Sequence, residues 1–207
     1  IRQADAATRA GLSRSTAVLL EKGDLSRTQA QILRYLEAIA PGVSLSEGAR
    51  REVMRGEETQ IVGAAGAGAR LVILPGSHCK WARVEDARIV DFSTFMTGEL
   101  FAALKDHTIL GRGLAAAPAD RADGEGGEGE RAFAAGVAQA RDGLAGALFQ
   151  TRARTLLGGL TPQTAGAFLS GVVIGAEIEE GLARYGRSAR APLLIGAPGL
   201  VARYRAA

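Results

Sequence analysis

Leu71 to Leu100 reads LVILPGSHCKWARVEDARIVDFSTFMTGEL, and the rest of the chain is interpreted outward from it. Leu71-Val72-Ile73-Leu74 is an apolar run of the length of a buried strand. Pro75-Gly76 breaks the run, because proline lacks a ladder donor and glycine lets the backbone turn. Gly76-Ser77-His78-Cys79-Lys80 is a small polar loop ending in a cation. A second strand resumes at Trp81-Ala82-Arg83-Val84, Glu85-Asp86-Ala87 turns the chain, and Arg88-Ile89-Val90-Asp91-Phe92 returns it. That pattern predicts a β-hairpin. A nest of backbone N–H groups, a hydroxyl and a lysine at its mouth suits a phosphate. The same spacing also fits an ordinary hairpin with a polar turn, and from the residues alone that plainer reading is preferred.

The 207 residues leave room for one large or two small domains. With 47% apolar and 23% charged residues the balance is that of a soluble globular protein; with only 5% aromatics the core must rest on small and aliphatic side chains. A net charge of +3 is too small to identify a nucleic-acid binder. The single cysteine, Cys79, excludes an internal disulfide and gives no support for a cysteine metal cluster, which fits a reducing, cytoplasmic setting. No run approaches the roughly eighteen apolar residues of a membrane span and no signal peptide is visible, so no membrane partner is expected. The first residue is Ile1 rather than a methionine, so the true N-terminus is expected upstream.

Taken in order, the chain opens on helical sequence. Gln3 to Ala10 is ended by Gly11. Ser13 caps a helix from Arg14 to Glu21, ended by Gly23. Ser26 caps a third, Arg27 to Ala40, with Ile32, Leu33, Leu36 and Ile39 on one face. Two short helices about a glycine turn suit a helix-turn-helix. The string AATRAGLSRSTAVLLEKGD resembles the repressor-type helix-turn-helix of the Cro kind. That resemblance implies DNA as a partner of residues 1–41, with Arg14, Ser15 and Thr16 at base edges and Lys22 and Arg27 at phosphates. A plain helical bundle accounts for the same capping serines and glycine stops. Pro41 to Arg51, with Gly42, Ser44, Ser46 and Gly48, reads as a linker, separating a segment 1–46 from a domain 47–207.

Arg55-Gly56-Glu57-Glu58-Thr59-Gln60 follows. Two carboxylates beside an arginine at a helix start can serve as a general base or bind magnesium. Acidic residues also favour any first helical turn, and from chemistry alone that reading is preferred. Beyond the hairpin, Thr97 is a candidate N-cap for a helix carrying Leu100, Phe101 and Leu104. His78 and His107 are the only histidines, and His107 reads as a helix-end residue. Ala115 to Glu130 reads as a mobile surface loop. Arg131 to Leu157 reads as one helix, and Thr161-Pro162 starts another. Gly171 and Gly175 lie four apart on one face, which permits close helix packing. Ala191 to Ile195 is a strand, and Gly196-Ala197-Pro198-Gly199-Leu200 is a glycine turn into a helix from Val201 to Ala207. Such a turn lets a nucleotide approach the backbone closely.

LPGSHCKW, DFSTFMTGELFAALKDHTILG and, upstream, VMRGEETQIVGA resemble the 2-dehydro-3-deoxygalactonokinases, sugar-acid kinases of the actin-like, hexokinase-like ATPase fold. The resemblance runs from about Arg51 to Ala207. It implies an α/β fold, with α+β as the alternative: a partial actin-like (ribonuclease H-like) lobe preceded by the helical segment. It implies transfer of the γ-phosphoryl of ATP to a hydroxyl of 2-dehydro-3-deoxy-D-galactonate, with ATP and Mg2+ as cofactors. On this reading Gly76, Ser77, His78, Cys79 and Lys80 hold phosphate. Glu57 or Glu58, with Glu57 preferred, takes the hydroxyl proton, as does the acid of a Gly-Asp-Gln segment in related carbohydrate kinases. Arg55, Thr97, Gly98 and Glu99 belong to the substrate cleft, and Gly196, Ala197, Gly199 and Leu200 border the adenosine. Magnesium bridges phosphate oxygens and keeps several waters. The partners are then the sugar acid and ATP, with a homodimer left open. Kinases of this fold carry an N-terminal strand with an Asp-x-Gly-Thr-like turn, whereas residues 1–50 read as helical. Either the chain is a fragment, or a helix-turn-helix stands in that lobe's place and phosphoryl transfer is much reduced. The alternative function is a DNA-binding transcriptional regulator whose kinase-like lobe senses a sugar or nucleotide.

Overall fold

The computed structural model describes residues 7–21, 31, 42–65, 68, 70–114, 127–186 and 190–207. Contacts divide the chain into two compact units, Ile1–Ala69 with Ala82–Phe92, and Arg70–Trp81 with Ser93–Ala207. Among the described residues no helix is long and apolar enough to cross a membrane.

In the first unit, α1 spans Arg14–Glu21. Its entry is built as the serine and glycine predict. The Ser13 hydroxyl accepts from the Thr16 N–H at 3.1 Å, and Gly11 turns the chain at φ +63°. Ala7, Ala10 and Ala17 form a small buried cluster with Leu12 beside it. Lys22, Arg27 and, apart from Gln31, the third helix expected from Arg27 to Ala40 lie outside the described residues. The segment read as a linker is instead a hairpin: β1 (Val43–Glu47) pairs antiparallel with β2 (Arg50–Met54), Val43 opposite Met54 and Glu47 opposite Arg50. Val43-Ser44-Leu45-Ser46 alternates with the strand period, and Gly48 supplies the turn at φ +55°. Arg50 pairs with Asp91 at 2.8 Å and donates to the Phe92 carbonyl. Helix α2 follows at Glu57–Ala65.

The stretch from Leu71 builds three strands, β3 (Arg70–Leu74), β4 (Cys79–Glu85) and β5 (Arg88–Phe95). Their sheet has the order β5-β4-β3-β6, where β6 is Leu193–Leu194, parallel to β3 through Val72↔Leu193 and Ile73↔Leu194. The connections joining β3 to β4 and β4 to β5 are too short for a crossover, so both pairs are antiparallel. Asp86 and Ala87 both have positive φ, 47° and 61°, the geometry of a two-residue I′ turn.

The second unit adds α3 (Thr97–His107), a 3₁₀ turn at Gly111–Gly113, α4 (Glu128–Ala140), α5 (Leu144–Leu156), α6 (Pro162–Tyr185) and α7 (Pro198–Ala206). Residues 115–126, most of the expected surface loop, lie outside the described residues. Thr97 is not a cap: it is already helical and buried, and Met96 holds the cap position without a side-chain bond. The single helix expected from Arg131 to Leu157 is two, because Gly143 at φ +96° breaks it after Ala140. The last helix starts at Pro198, so Gly199 and Leu200 belong to its first turn. Thr161 and Thr164 form a reciprocal capping box with Pro162 at the first position, which starts α6.

Helix α6 is the hub of this unit. It crosses α4 so closely that a Cβ at Gly136 would collide with the Phe168 carbonyl, and one at Gly171 with the Phe133 carbonyl. The core on this side of the sheet holds Leu71, Ile73, Cys79, Trp81, Phe95, Phe133, Val173, Ile174 and Tyr204. Trp81 stacks on Tyr185 at 6.1 Å and meets Phe95 edge-on at 6.0 Å. Its ring fits because residue 181 is glycine, whose Cβ would lie 2.6 Å from it.

Two substitutions test this account. Ala87→Gly relieves a left-handed alanine and is expected to raise stability by about 1 kcal/mol in urea unfolding; a lower midpoint would contradict the turn. Gly171→Ala is expected to cost about 3 kcal/mol, since the clash is with backbone; a neutral result would contradict the helix crossing.

Candidate functional site

The loop between β3 and β4 sits at the meeting point of three predicted segments, all within the second unit. Pro75 is buried, Gly76 is half-buried, and Ser77 and His78 are exposed. The first turn of α3 lies directly against them. A Cβ at Gly98 would stand 2.5 Å from the Gly76 oxygen and 2.8 Å from Ser77 Cα, so only glycine admits this approach. The Glu99 N–H donates to the Ser77 carbonyl at 3.1 Å, and the Glu99 carboxylate bonds His78 Nε2. On the other side, a Cβ at Gly196 would lie 3.3 Å from the Pro75 carbonyl, with the Ile195 N–H bonded to the Ile73 carbonyl at 3.0 Å. Ala197 caps α7, whose first turn carries Gly199 and Leu200. Two helix starts therefore flank one exposed loop, and helix starts carry partial positive charge and N–H donors.

Two residues of the predicted loop are placed differently. Cys79 and Lys80 belong to β4, and Lys80 is only 4% exposed rather than standing at a loop mouth. Side chains alternate along a strand, so Lys80 projects to the face opposite Cys79 and Trp81. Burial extends over this part of β4, Cys79 through Ala82, and the lysine is enclosed with it.

Cys79 turns inward to a buried polar chain. Its sulfur accepts from the Gly76 N–H at 3.3 Å, lies 3.2 Å from the Gly76 carbonyl, and lies 3.1 Å from the Tyr204 hydroxyl. Tyr204 donates to Glu177 Oε2 at 2.5 Å, and Trp81 Nε1 donates to Glu177 Oε1 at 2.7 Å. Glu177 is 4% exposed, and both its oxygens are satisfied. Burial first, and the nearby Glu177 charge second, push the Cys79 thiol up to about 11, and the same causes raise the Tyr204 phenol. Sequence reasoning passed over Glu177 and Tyr204. The available signal was an acid set within the apolar run from Val172 to Ile178.

The other candidates lie in the first unit. Arg55 is exposed, and Gly56 stands at φ +112° before α2. Glu57 Oε2 accepts from the Arg55 N–H at 3.0 Å, and Glu58 Oε2 accepts from the Gly56 N–H at 2.6 Å. Glu58 is the buried one of the pair, 8% exposed, and its Oε1 is enclosed without a hydrogen-bond partner. An unsatisfied buried carboxylate oxygen is costly unless a donor meets it. Arg14 opens α1, and the Ser15 and Thr16 hydroxyls both bond the Ser13 hydroxyl, at 2.8 and 2.9 Å.

The raised thiol has a consequence for stability. Between pH 9 and 10 the unfolded chain loses the Cys79 proton while the folded chain keeps it, so stability falls as pH rises. The expected loss over that interval is about 1 kcal/mol, flattened by Cys79→Ala; an equal slope in the variant would contradict the buried neutral thiol.

The family model of 2-keto-3-deoxy-galactonokinase matches residues 8–207, so the match begins well upstream of the Arg51 expected from the motifs. The Rhizobium meliloti (strain 1021) protein DgoK1, named a probable 2-dehydro-3-deoxygalactonokinase, is 45% identical over 175 residues, covering 82% of this chain and 55% of its own. The 2-dehydro-3-deoxygalactonokinase of Escherichia coli (strain K12) is 38% identical over 172 residues, covering 82% and 56%. A crystal structure of a Sinorhizobium meliloti protein, also described as a 2-dehydro-3-deoxygalactonokinase, matches with a TM-score of 0.70 at 41% identity, over 80% of this chain and 55% of that one. The chain thus spans about half the length of the relatives it matches. On the family match and these relatives together, the chain belongs to the 2-keto-3-deoxy-galactonokinase family.

Proposed function

We propose that the protein takes part in ATP-dependent phosphorylation of 2-dehydro-3-deoxy-D-galactonate, in a lobe of actin-like ATPase type. One observation carries the reading: the exposed loop Gly76–His78, the first turn of α3 and the glycine turn at Gly196 meet in one unit. Phosphoryl transfer needs positioning and charge stabilisation more than covalent chemistry. The Ser77 hydroxyl and the loop backbone receive phosphate oxygens, with the positive ends of α3 and α7 adding to the field. Gly196, Ala197, Gly199 and Leu200 border the adenosine. Lys80, enclosed in β4, adds positive potential near the loop. Magnesium neutralises phosphate charge in reactions of this class and needs only one or two carboxylates besides its waters. The described residues contain no group of three metal-ligating side chains, and Glu99, beside the loop, is the carboxylate suited to that part.

For the base we take Glu58 in place of Glu57. The free, enclosed Oε1 of Glu58 is an acceptor waiting for a donor, and a substrate hydroxyl is such a donor. Thr97 and Gly98 stay as cleft residues in this reading, and Arg55 as a substrate-binding residue of the first unit. The family match from residue 8 takes the opening helix pair into the kinase family, and no observation favours the DNA-binding alternative.

ADP release with ATP and 2-dehydro-3-deoxy-D-galactonate tests the reading. Glu58→Gln is expected to lower kcat by about a hundredfold or more, and Glu57→Gln by much less. No ADP release by the unaltered protein would refute the function, and the reverse ranking of the two variants would refute the base.

A further inference from the structure

The buried chain behind the phosphate loop has a direction set by proton count. An ionised carboxylate only accepts, so Glu177 Oε2 takes the single Tyr204 proton across 2.5 Å. The Tyr204 oxygen is then left as an acceptor on its other side, where the Cys79 sulfur lies at 3.1 Å. The thiol proton is directed to Tyr204 or to the Gly76 carbonyl, and the Gly76 N–H points at the sulfur from 3.3 Å. With the thiol proton on the Tyr204 side, the donors run from the loop, through sulfur and phenol, to the carboxylate on α6. Trp81 holds the far oxygen of that carboxylate at 2.7 Å. The Gly76 N–H is engaged by the Cys79 side chain, and that side chain is held by the last helix.

We propose that Tyr204 is a positioning residue for the loop Gly76–His78, acting through the Cys79 thiol. The absence of a side chain at Gly98 admits Gly76 against the first turn of α3, and Glu99 holds Ser77 and His78 there, but neither of those bonds reaches Gly76 itself. The sulfur supplies the inward restraint, and Tyr204 fixes the sulfur. Because α7 begins at the glycine turn beside Pro75, the same helix that borders the proposed adenosine site also sets the curvature of the proposed phosphate site. The inference rests on the reading of that loop as the phosphate site only for its functional consequence; the restraint itself is independent of it.

The test compares the unaltered chain with Tyr204→Phe, Cys79→Ala and Cys79→Ser. Amide hydrogen exchange at Gly76–His78 is expected to quicken about tenfold in Tyr204→Phe and Cys79→Ala, the factor corresponding to one lost hydrogen bond, and to recover in Cys79→Ser. The KM for ATP should rise by a similar factor while the KM for the sugar acid holds. Cys79→Ala, which leaves the Tyr204–Glu177 bond in place, keeps the test open should Tyr204→Phe fail to fold. Unchanged exchange at the loop in folded Cys79→Ala, or an equal rise in both KM values, overturns the proposal. Failure of the unaltered chain to turn over ATP overturns the kinase reading instead, and the exchange measurement then decides the positioning role alone.

Discussion

A buried carboxylate has to be given donors, and the second unit is arranged so that Glu177 receives two. One comes from β4, through the Trp81 indole, and one from α7, through the Tyr204 phenol. Leaving either oxygen bare in the interior would cost on the order of several kcal/mol, so strand, hub helix and last helix are held in one arrangement. The consequences spread from there. Trp81 is pinned, so α6 must carry glycine at 181. Tyr204 is pinned, so the Cys79 sulfur has a fixed neighbour and the turn at Gly76 has a fixed curvature.

Close backbone approach is the second constraint, and it explains the composition. The chain has 28 glycines and few aromatics. Gly136 and Gly171 let α4 and α6 touch main chain to main chain, and Gly98 lets a helix start lie under the loop. Packing of this kind draws its stability from many short contacts between small groups rather than from large side chains. It also places helix starts near the exposed Ser77 and His78, where an anionic ligand would be received.

The hairpin was legible in the residues because punctuation and pattern agree there: Pro75-Gly76 at one end, Glu85-Asp86-Ala87 at the other, apolar strands between. The α6 start was legible for the same reason, at Thr161-Pro162. The β1–β2 hairpin was not, since serines and glycines in a short alternating stretch resemble a linker until a partner strand is seen. Thr97 satisfies the composition of a cap yet lies inside the helix, because the chain enters α3 one residue earlier than its hydroxyl implies. Lys80 looked like a loop residue because a strand's first residues carry no local mark when they are polar. The Cys79–Tyr204–Glu177 chain joins residues far apart in sequence, and no local pattern announces it. Which of two adjacent acids keeps a free oxygen is likewise decided by tertiary burial, not by the Glu-Glu pair itself.

The central claim is that the turn after β3 receives the phosphates of a nucleotide. Backbone amide chemical shifts during an ATP titration examine it directly. The amides of Ser77, His78, Gly98, Gly196, Ala197 and Gly199 are expected to move together and saturate at one ATP concentration. Saturable binding of ATP with those amides unmoved, and shifts confined elsewhere in the chain, would contradict it.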